Sequence, residues 1–179
     1  MQDQASAAPV AQLDEETLNW LRGVFQHARA GEAEPLERLL GKGLPPNLRN
    51  ERGDSLLMLA CYHGHYDAAR VLLEHGADPQ LINDAGQAPL HGAAFKGDLA
   101  VTTLLLDHGA IPDHAGPAGK TALMFAAMFN RVEILQLLIE RGADPRARDA
   151  GGVSALDAAE RMGAPDTAAL LAGLGSQSA

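Results

Sequence analysis

Residues 88–112 read APLHGAAFKGDLAVTTLLLDHGAIP, and the same layout stands 33 positions to either side, as LLMLACYHGHYDAARVLLEHGADP from Leu56 and TALMFAAMFNRVEILQLLIERGADP from Thr121. The three align without a gap. Gly53, Gly86, Gly119 and Gly152 keep the same 33-residue step, as do Leu57, Leu90, Leu123 and Leu156, and Gly76, Gly109 and Gly142 with Gly43 upstream. A fixed period of this length marks stacked supersecondary units, each too small to bury its apolar face alone.

Each unit reads as two short helices. A first run (Leu57–Tyr62, Leu90–Phe95, Leu123–Phe129) ends at a Gly or Asn. A second, amphipathic run follows, such as Val132–Arg141 with Ile134, Leu135, Leu137 and Leu138 on one stripe. Gly76, Gly109 and Gly142 suit the left-handed stop of the second helix, and Pro79, Pro112 and Pro145 forbid its continuation. Ser55, Thr121 and Ser154 are placed to cap the next first helix; Ala88 cannot, but Pro89 at the first helical position partly compensates. The turn-rich stretch between Pro and the next finger glycine, for instance PRARDAGG at Pro145–Gly152, suits a hairpin-like finger.

These residues resemble the ankyrin repeat family. APLHGA at Ala88–Ala93 is close to that family's TPLHxA signature, while HGADP at His75–Pro79 and RGADP at Arg141–Pro145 look like its GAD turn. The resemblance implies an all-α solenoid of helix-turn-helix units with β-hairpin-like finger loops at a right angle. It covers residues 13–173, divided as an N-terminal cap (14–49), repeats 50–82, 83–115 and 116–148, and a C-terminal cap repeat (149–172). In the first cap no finger is expected, because Trp20 stands where a finger glycine would be; Asp14 is placed to cap, with Leu13 stapling onto Leu18. Residues 1–12 read as a disordered leader and 174–179 as a disordered tail.

Composition narrows the function classes. The chain has 179 residues, 46% of them hydrophobic, and 14 basic against 23 acidic side chains give a net charge of −9. That charge repels a phosphate backbone, so nucleic acid is not expected as a partner. One cysteine, Cys61, allows no intrachain disulfide and fits a reducing cytoplasm. There is neither a secretory signal nor an apolar run of about 18 residues, so no membrane association is expected. Cys61 occupies the small-residue slot of Ala94 and Ala127 and reads as a buried, inert thiol. Serine-nucleophile motifs, a phosphate-cradling glycine loop and paired acids are absent, so no catalytic residues, cofactor or metal are assigned. His65 and His91 sit at the Gly-His and Leu-His positions of the family pattern, where the resemblance implies internal hydrogen bonds. Glu74, Asp107 and Glu140 read as a solvated outer face, and Arg141, Arg146 and Arg148 as a cluster neutralised by Asp144 and Asp149.

The ends of the first helices carry the candidate site. Stepping by 33 from Tyr62 and His63 gives Phe95 and Lys96, then Met128 and Phe129, then Arg161 and Met162. Three of the chain's six Phe and Tyr residues fall in this row, and in the family it faces the concave groove. Aromatic and Met side chains there suit the anchoring of another protein; the competing reading has Met128 or Phe129 folded onto a neighbour. The fingers add Glu51, Arg52 and Asp54, then Asp84 and Gln87, then Lys120, then Ala150 and Val153. An acidic first half predicts a partner segment with apolar anchors and basic character toward the first fingers.

The expectation is thus a monomeric, non-catalytic module binding another protein, with a partner enzyme suggested by analogy to small bacterial members of the family. Two alternatives stand beside it. One is a metal-dependent sensor or enzyme using Tyr62, His63 and His65. The other is structural self-association through the aromatic row.

Overall fold

The computed structural model describes residues 14–176. Among them, ten helices follow in chain order: α1 (Glu15–Ala30), α2 (Ala33–Gly41), α3 (Leu56–Tyr62), α4 (Tyr66–Glu74), α5 (Pro89–Lys96), α6 (Leu99–Asp107), α7 (Ala122–Met128), α8 (Val132–Glu140), α9 (Ala155–Met162) and α10 (Pro165–Ser176). They form two layers. The odd-numbered helices each pack on the next odd one, the even-numbered on the next even one, and paired helices pack on each other. The result is the all-α stack that the 33-residue step predicts. The leader at 1–12 and the Leu13 staple lie outside the described residues. The helix α10 runs to Ser176, so residues 174–176, expected as the start of a tail, are helical.

Small residues let the inner layer close up. Ala60, Cys61, Ala93, Ala94, Ala126, Ala127 and Ala159 are fully buried between successive inner helices. The outer helices contribute Leu72, Leu105, Ile134, Leu135 and Leu138, all sealed in one continuous core. Burying each such side chain contributes about 1.5–3 kcal/mol, and the core runs from unit to unit because no unit covers its own leucines. The thiol of Cys61 is buried and its pKa is pushed up, by loss of solvent first and by the charge of Asp98 second.

The expected caps form. The Ser55 hydroxyl accepts from Met58 N–H at 3.0 Å, Thr121 from Met124 N–H at 3.4 Å, Ser154 from Asp157 N–H at 3.1 Å, and Asp14 from Thr17 N–H at 2.6 Å. At α5, where Ala88 cannot accept, His91 supplies the return half: its Nδ1 accepts from Ala88 N–H at 2.7 Å. The second helices turn at Gly76, Gly109 and Gly142 with φ of 85°, 86° and 96°.

Asn130 takes the place of Gly64 and Gly97 and is left-handed, with φ of 55°. It does more than fill the turn. Its Oδ1 accepts from the Asp166 and Thr167 N–H groups, both at 3.1 Å, and its Nδ2 donates to Asp166 Oδ2 at 2.8 Å. It therefore caps α10, which starts at Pro165 in the next unit. Asn130→Gly keeps the backbone conformation but removes this cap, and thermal unfolding is expected to show a loss of about 1 kcal/mol. Asn130→Ala adds left-handed strain and should lose more than the Gly variant.

Fingers are tight hairpins rather than strands, marked by isolated bridges Arg49↔Ser55 and Arg148↔Ser154. An Asx side chain shapes three of them. Asn50 Oδ1 accepts from Arg52 and Asp54 N–H, Asn83 Oδ1 from Ala85 and Gln87, and Asp149 Oδ1 from Gly151 and Val153, all at 2.9–3.0 Å. Adjacent fingers are tied by Asp84 N–H to Arg52 O at 3.0 Å and by Ala150 N–H to Ala118 O at 2.9 Å. The finger at 112–120 departs on both counts: Gly116 replaces the Asx residue, and Pro117 replaces the donor residue.

The outer acids are exposed as expected, with Glu74 paired to Arg70 and Asp107 to Arg141 across two repeats. The basic cluster is arranged differently from the expectation. Arg148 pairs with Asp157 and Arg141 with Asp107, while Asp144 and Asp149 accept from backbone N–H groups. Arg148 also folds back on its own finger, donating to Gly152 O at 2.6 Å, while Arg141 reaches the neighbouring repeat.

Candidate functional site

The ends of α3, α5 and α7 bring the aromatic row together as a ladder. Tyr62 and Phe95 stack with centroids 5.9 Å apart and planes 5° off parallel, and Phe95 meets Phe129 edge-on at 4.6 Å. Lys96 Nζ lies 4.6 Å from the centre of the Tyr62 ring. The ladder crosses columns: Phe129 is one position beyond the 33-step counterpart of Phe95, and its ring takes the edge-on place. The two readings of this row both hold in part. The rings pack on one another between repeats, yet Tyr62 is 39% exposed and Met162 52%, while Phe95, Met128 and Phe129 are half-buried.

Two recesses flank the ladder. The first, about 340 Å³, is lined by Arg29, Arg52, Asp54, Met58, Tyr62 and His63 together with Leu59, Asn83 and Gln87. The second, about 180 Å³, is floored by Met124, Met128, Val153, Ala158 and Met162 and rimmed by Lys120, Asp149 and Arg161. Twelve of the predicted residues thus divide between recesses and ladder. Glu51 and Asp84 are the exceptions: they stand exposed on the fingers, lining neither recess, and Asp84 lies 3.8 Å from Arg49.

Charge is distributed differently from the sequence expectation. The carboxylate of Asp54 is held by the side-chain amides of Asn50 at 3.2 Å and Asn83 at 2.8 Å. With Asp84 beside Arg49, the first recess presents Arg29 and Arg52 beside the single hydrogen-bonded carboxylate of Asp54. The basic character expected of a partner segment there loses its support. His63 is kept below its ordinary pKa, by desolvation first and by the neighbouring His65 next, so it adds no cation near neutral pH.

Several lining residues escaped the sequence reading. Arg29 is one 33-residue step upstream of Tyr62, so extending the column into the cap would have found it. Met58 and Met124 lie one helical turn before Tyr62 and Met128, an i to i−4 relation that puts them on the same face. Asn83 and Asp149 carried no signal, because their role depends on how the fingers abut.

The histidines are largely structural. His65 Nε2 hydrogen-bonds to Arg29 O at 2.8 Å, and its ring lies where a Cβ on Gly31 would stand, 2.5 Å from Cγ. His91 is buried and bonded at both nitrogens, as the resemblance implied. His75 and His108 donate from Nδ1 to the carbonyls of Val71 and Leu104 at 2.8 Å and 2.9 Å. Among the described residues no group of three or more His, Cys, Asp or Glu side chains gathers as a metal site, and no helix is long and apolar enough to cross a membrane.

A family model described as ankyrin repeats (3 copies) matches residues 24–116 and again 111–178. The chain belongs to the ankyrin repeat family. An ankyrin repeat protein of Pseudomonas aeruginosa is 55% identical over 64 residues, 36% of this chain. The match spans about a third of that relative, 37% of its length. Ankyrin repeats are generally protein–protein interaction modules. In this ankyrin stack the half-open ladder and its two recesses leave apolar side chains uncovered on the inner face.

Proposed function

We propose that the protein is a non-catalytic binding module that holds another protein in the groove between its inner helices and fingers. The observation that carries this reading is the ladder Tyr62, Phe95 and Phe129, which stays half-open between two recesses instead of closing into the core. Aromatic rings and methionines give large contact area for little lost side-chain freedom, and a recess beside them accepts an anchor. The protein acts in the cytoplasm as a monomer, by occupying or presenting the partner's surface, and a partner enzyme fits this mode.

Affinity capture from native lysate tests the proposal, with Phe95→Ala/Phe129→Ala as the comparison. Capture of the partner is expected to fall at least tenfold while the helical circular dichroism persists. Since both rings also pack between repeats, Met162→Lys serves as a second variant, its side chain being mostly exposed and uninvolved in the core. Undiminished capture by both variants refutes the groove assignment. A concentration-dependent dimer in light scattering, abolished by Met162→Lys, would favour self-association instead.

A further inference from the structure

Away from the groove, Arg70, Arg141, Arg49 and Arg148 are matched to Glu74, Asp107, Asp84 and Asp157, while Arg22, Arg38, Lys42, Arg131 and Arg146 form no ion pair among the described residues. Along the groove, Arg29, Arg52, Lys96, Lys120 and Arg161 form no ion pair among the described residues. The carboxylates nearest them are already engaged. Asp54 accepts from two asparagine amides, Asp149 from the Gly151 and Val153 N–H groups, and Asp98 from Val101 N–H at 3.0 Å as the cap of α6. A chain of net charge −9 thus keeps on its inner face a row of positive groups with no ion-pair partner, two in each recess against one hydrogen-bonded carboxylate, Asp54 or Asp149.

Their order is informative. The column at the ends of the inner helices runs Arg29, Tyr62, Phe95, Met128, Arg161, with a cation at each end and apolar side chains between. Arg52 and Lys120 repeat the pattern on the finger side, Arg52 lining a recess with Met58 and Lys120 one with Met124, Met128 and Met162. Methionine floors accept anchors of varied shape, and unpaired guanidinium groups offer planar donors to carboxylates.

Resting on the groove reading above, we propose that the groove's occupant is an acidic, extended segment of another protein, with bulky apolar anchors bracketed by Asp or Glu. An apolar side chain enters the recess over Met124, Met128 and Met162, another lies along the ladder, and flanking carboxylates meet Arg29 and Arg52 at one end and Lys120 and Arg161 at the other. The negative surface elsewhere repels the same segment, which steers it to the groove and selects against mis-docking. Single-stranded RNA offers anions and stacking bases, but its continuous phosphate chain would run past the acidic remainder of the chain, which disfavours it.

Selection from a random-peptide display library on the intact chain tests this. Enriched peptides are expected to carry Leu, Phe or Trp with Asp or Glu on both sides, and their affinity should fall steeply with salt. The Arg52→Glu/Lys120→Glu/Arg161→Glu variant alters side chains that hold nothing in the fold, and should weaken such a peptide at least tenfold with circular dichroism unchanged. Neutral or basic peptides whose binding needs Phe95 and Phe129 would overturn this inference and leave the groove reading intact. Acidic peptides indifferent to Phe95→Ala/Phe129→Ala would overturn both, as would no enrichment at all. Tighter binding of an oligouridine than of any peptide would also overturn it.

Discussion

Gly116→Asn destabilises the protein by about 2–4 kcal/mol, although Asn is the residue that two of its sibling fingers carry at the same place. Judged by its own finger, the change should help, since Asn50 and Asn83 each satisfy two backbone N–H groups. The neighbouring finger reverses the sign. A Cβ on Gly116 would stand 2.2 Å from Gly86 O and 2.7 Å from its Cα, contacts with backbone that no rotamer change relieves. Pro117 has no N–H to donate where Asp84 and Ala150 tie their fingers to the preceding one. Without that bond the two fingers meet backbone to backbone. Urea unfolding of Gly116→Asn and Gly116→Ala checks this: both should lose stability, because the Cβ is the cause. A stability equal to wild type in the Ala variant would remove the contact from the account. Asn83→Gly, which adds no atom but removes two accepted bonds and the amide bond to Asp54, should lose about 1–3 kcal/mol.

Acid weakens the fold through His91. Its Nδ1 accepts from Ala88 N–H, so the ring proton sits on Nε2 and is donated to His114 O at 3.0 Å. Protonation would set a second N–H against a backbone donor inside the core. Burial is the largest cause, and it lowers the pKa from 6.5 to about 4. In the unfolded chain the ring takes its proton near 6.5; in the folded chain it refuses until about pH 4. Between those values the unfolded state binds more protons, so stability rises with pH across the window. The contribution is whole above 6.5, is lost progressively as the pH falls toward 4, and is flat below. The full difference amounts to about 3 kcal/mol. Chemical denaturation at pH 7.5 and 4.5, on wild type and His91→Gln, isolates it: the advantage of wild type should shrink at the lower pH by most of that amount. An NMR titration placing the His91 ring near 6.5 in the folded protein would contradict the assignment.

Much of this was legible residue by residue. The 33-step of glycines and leucines placed the three first helices and α8 within one residue at each end, because an apolar stripe and its stop signal act within a single unit. Ser55, Thr121 and Ser154 were readable as caps for the same reason, each reaching only three residues along the chain. The aromatic row was readable too, being a fixed place in every repeat. Its state was not. Whether Phe95 and Phe129 point outward or onto each other depends on the offset between neighbouring units, and the answer is an edge-on contact that leaves part of each ring open.

What the sequence determined by itself is the architecture: paired helices in two layers, because no other arrangement covers leucines recurring at that period. What only the tertiary structure decided is which polar and charged groups remain free. Asp54 reads as a free acidic contact in the sequence, but Asn83 of the next finger holds its carboxylate. Asn130 likewise caps a helix whose first residues lie 36 positions away. Hydrogen bonds and charge pairs act over a few ångströms, and those distances between units are set by how alanines and leucines pack across the interface, not by the order of residues within a repeat.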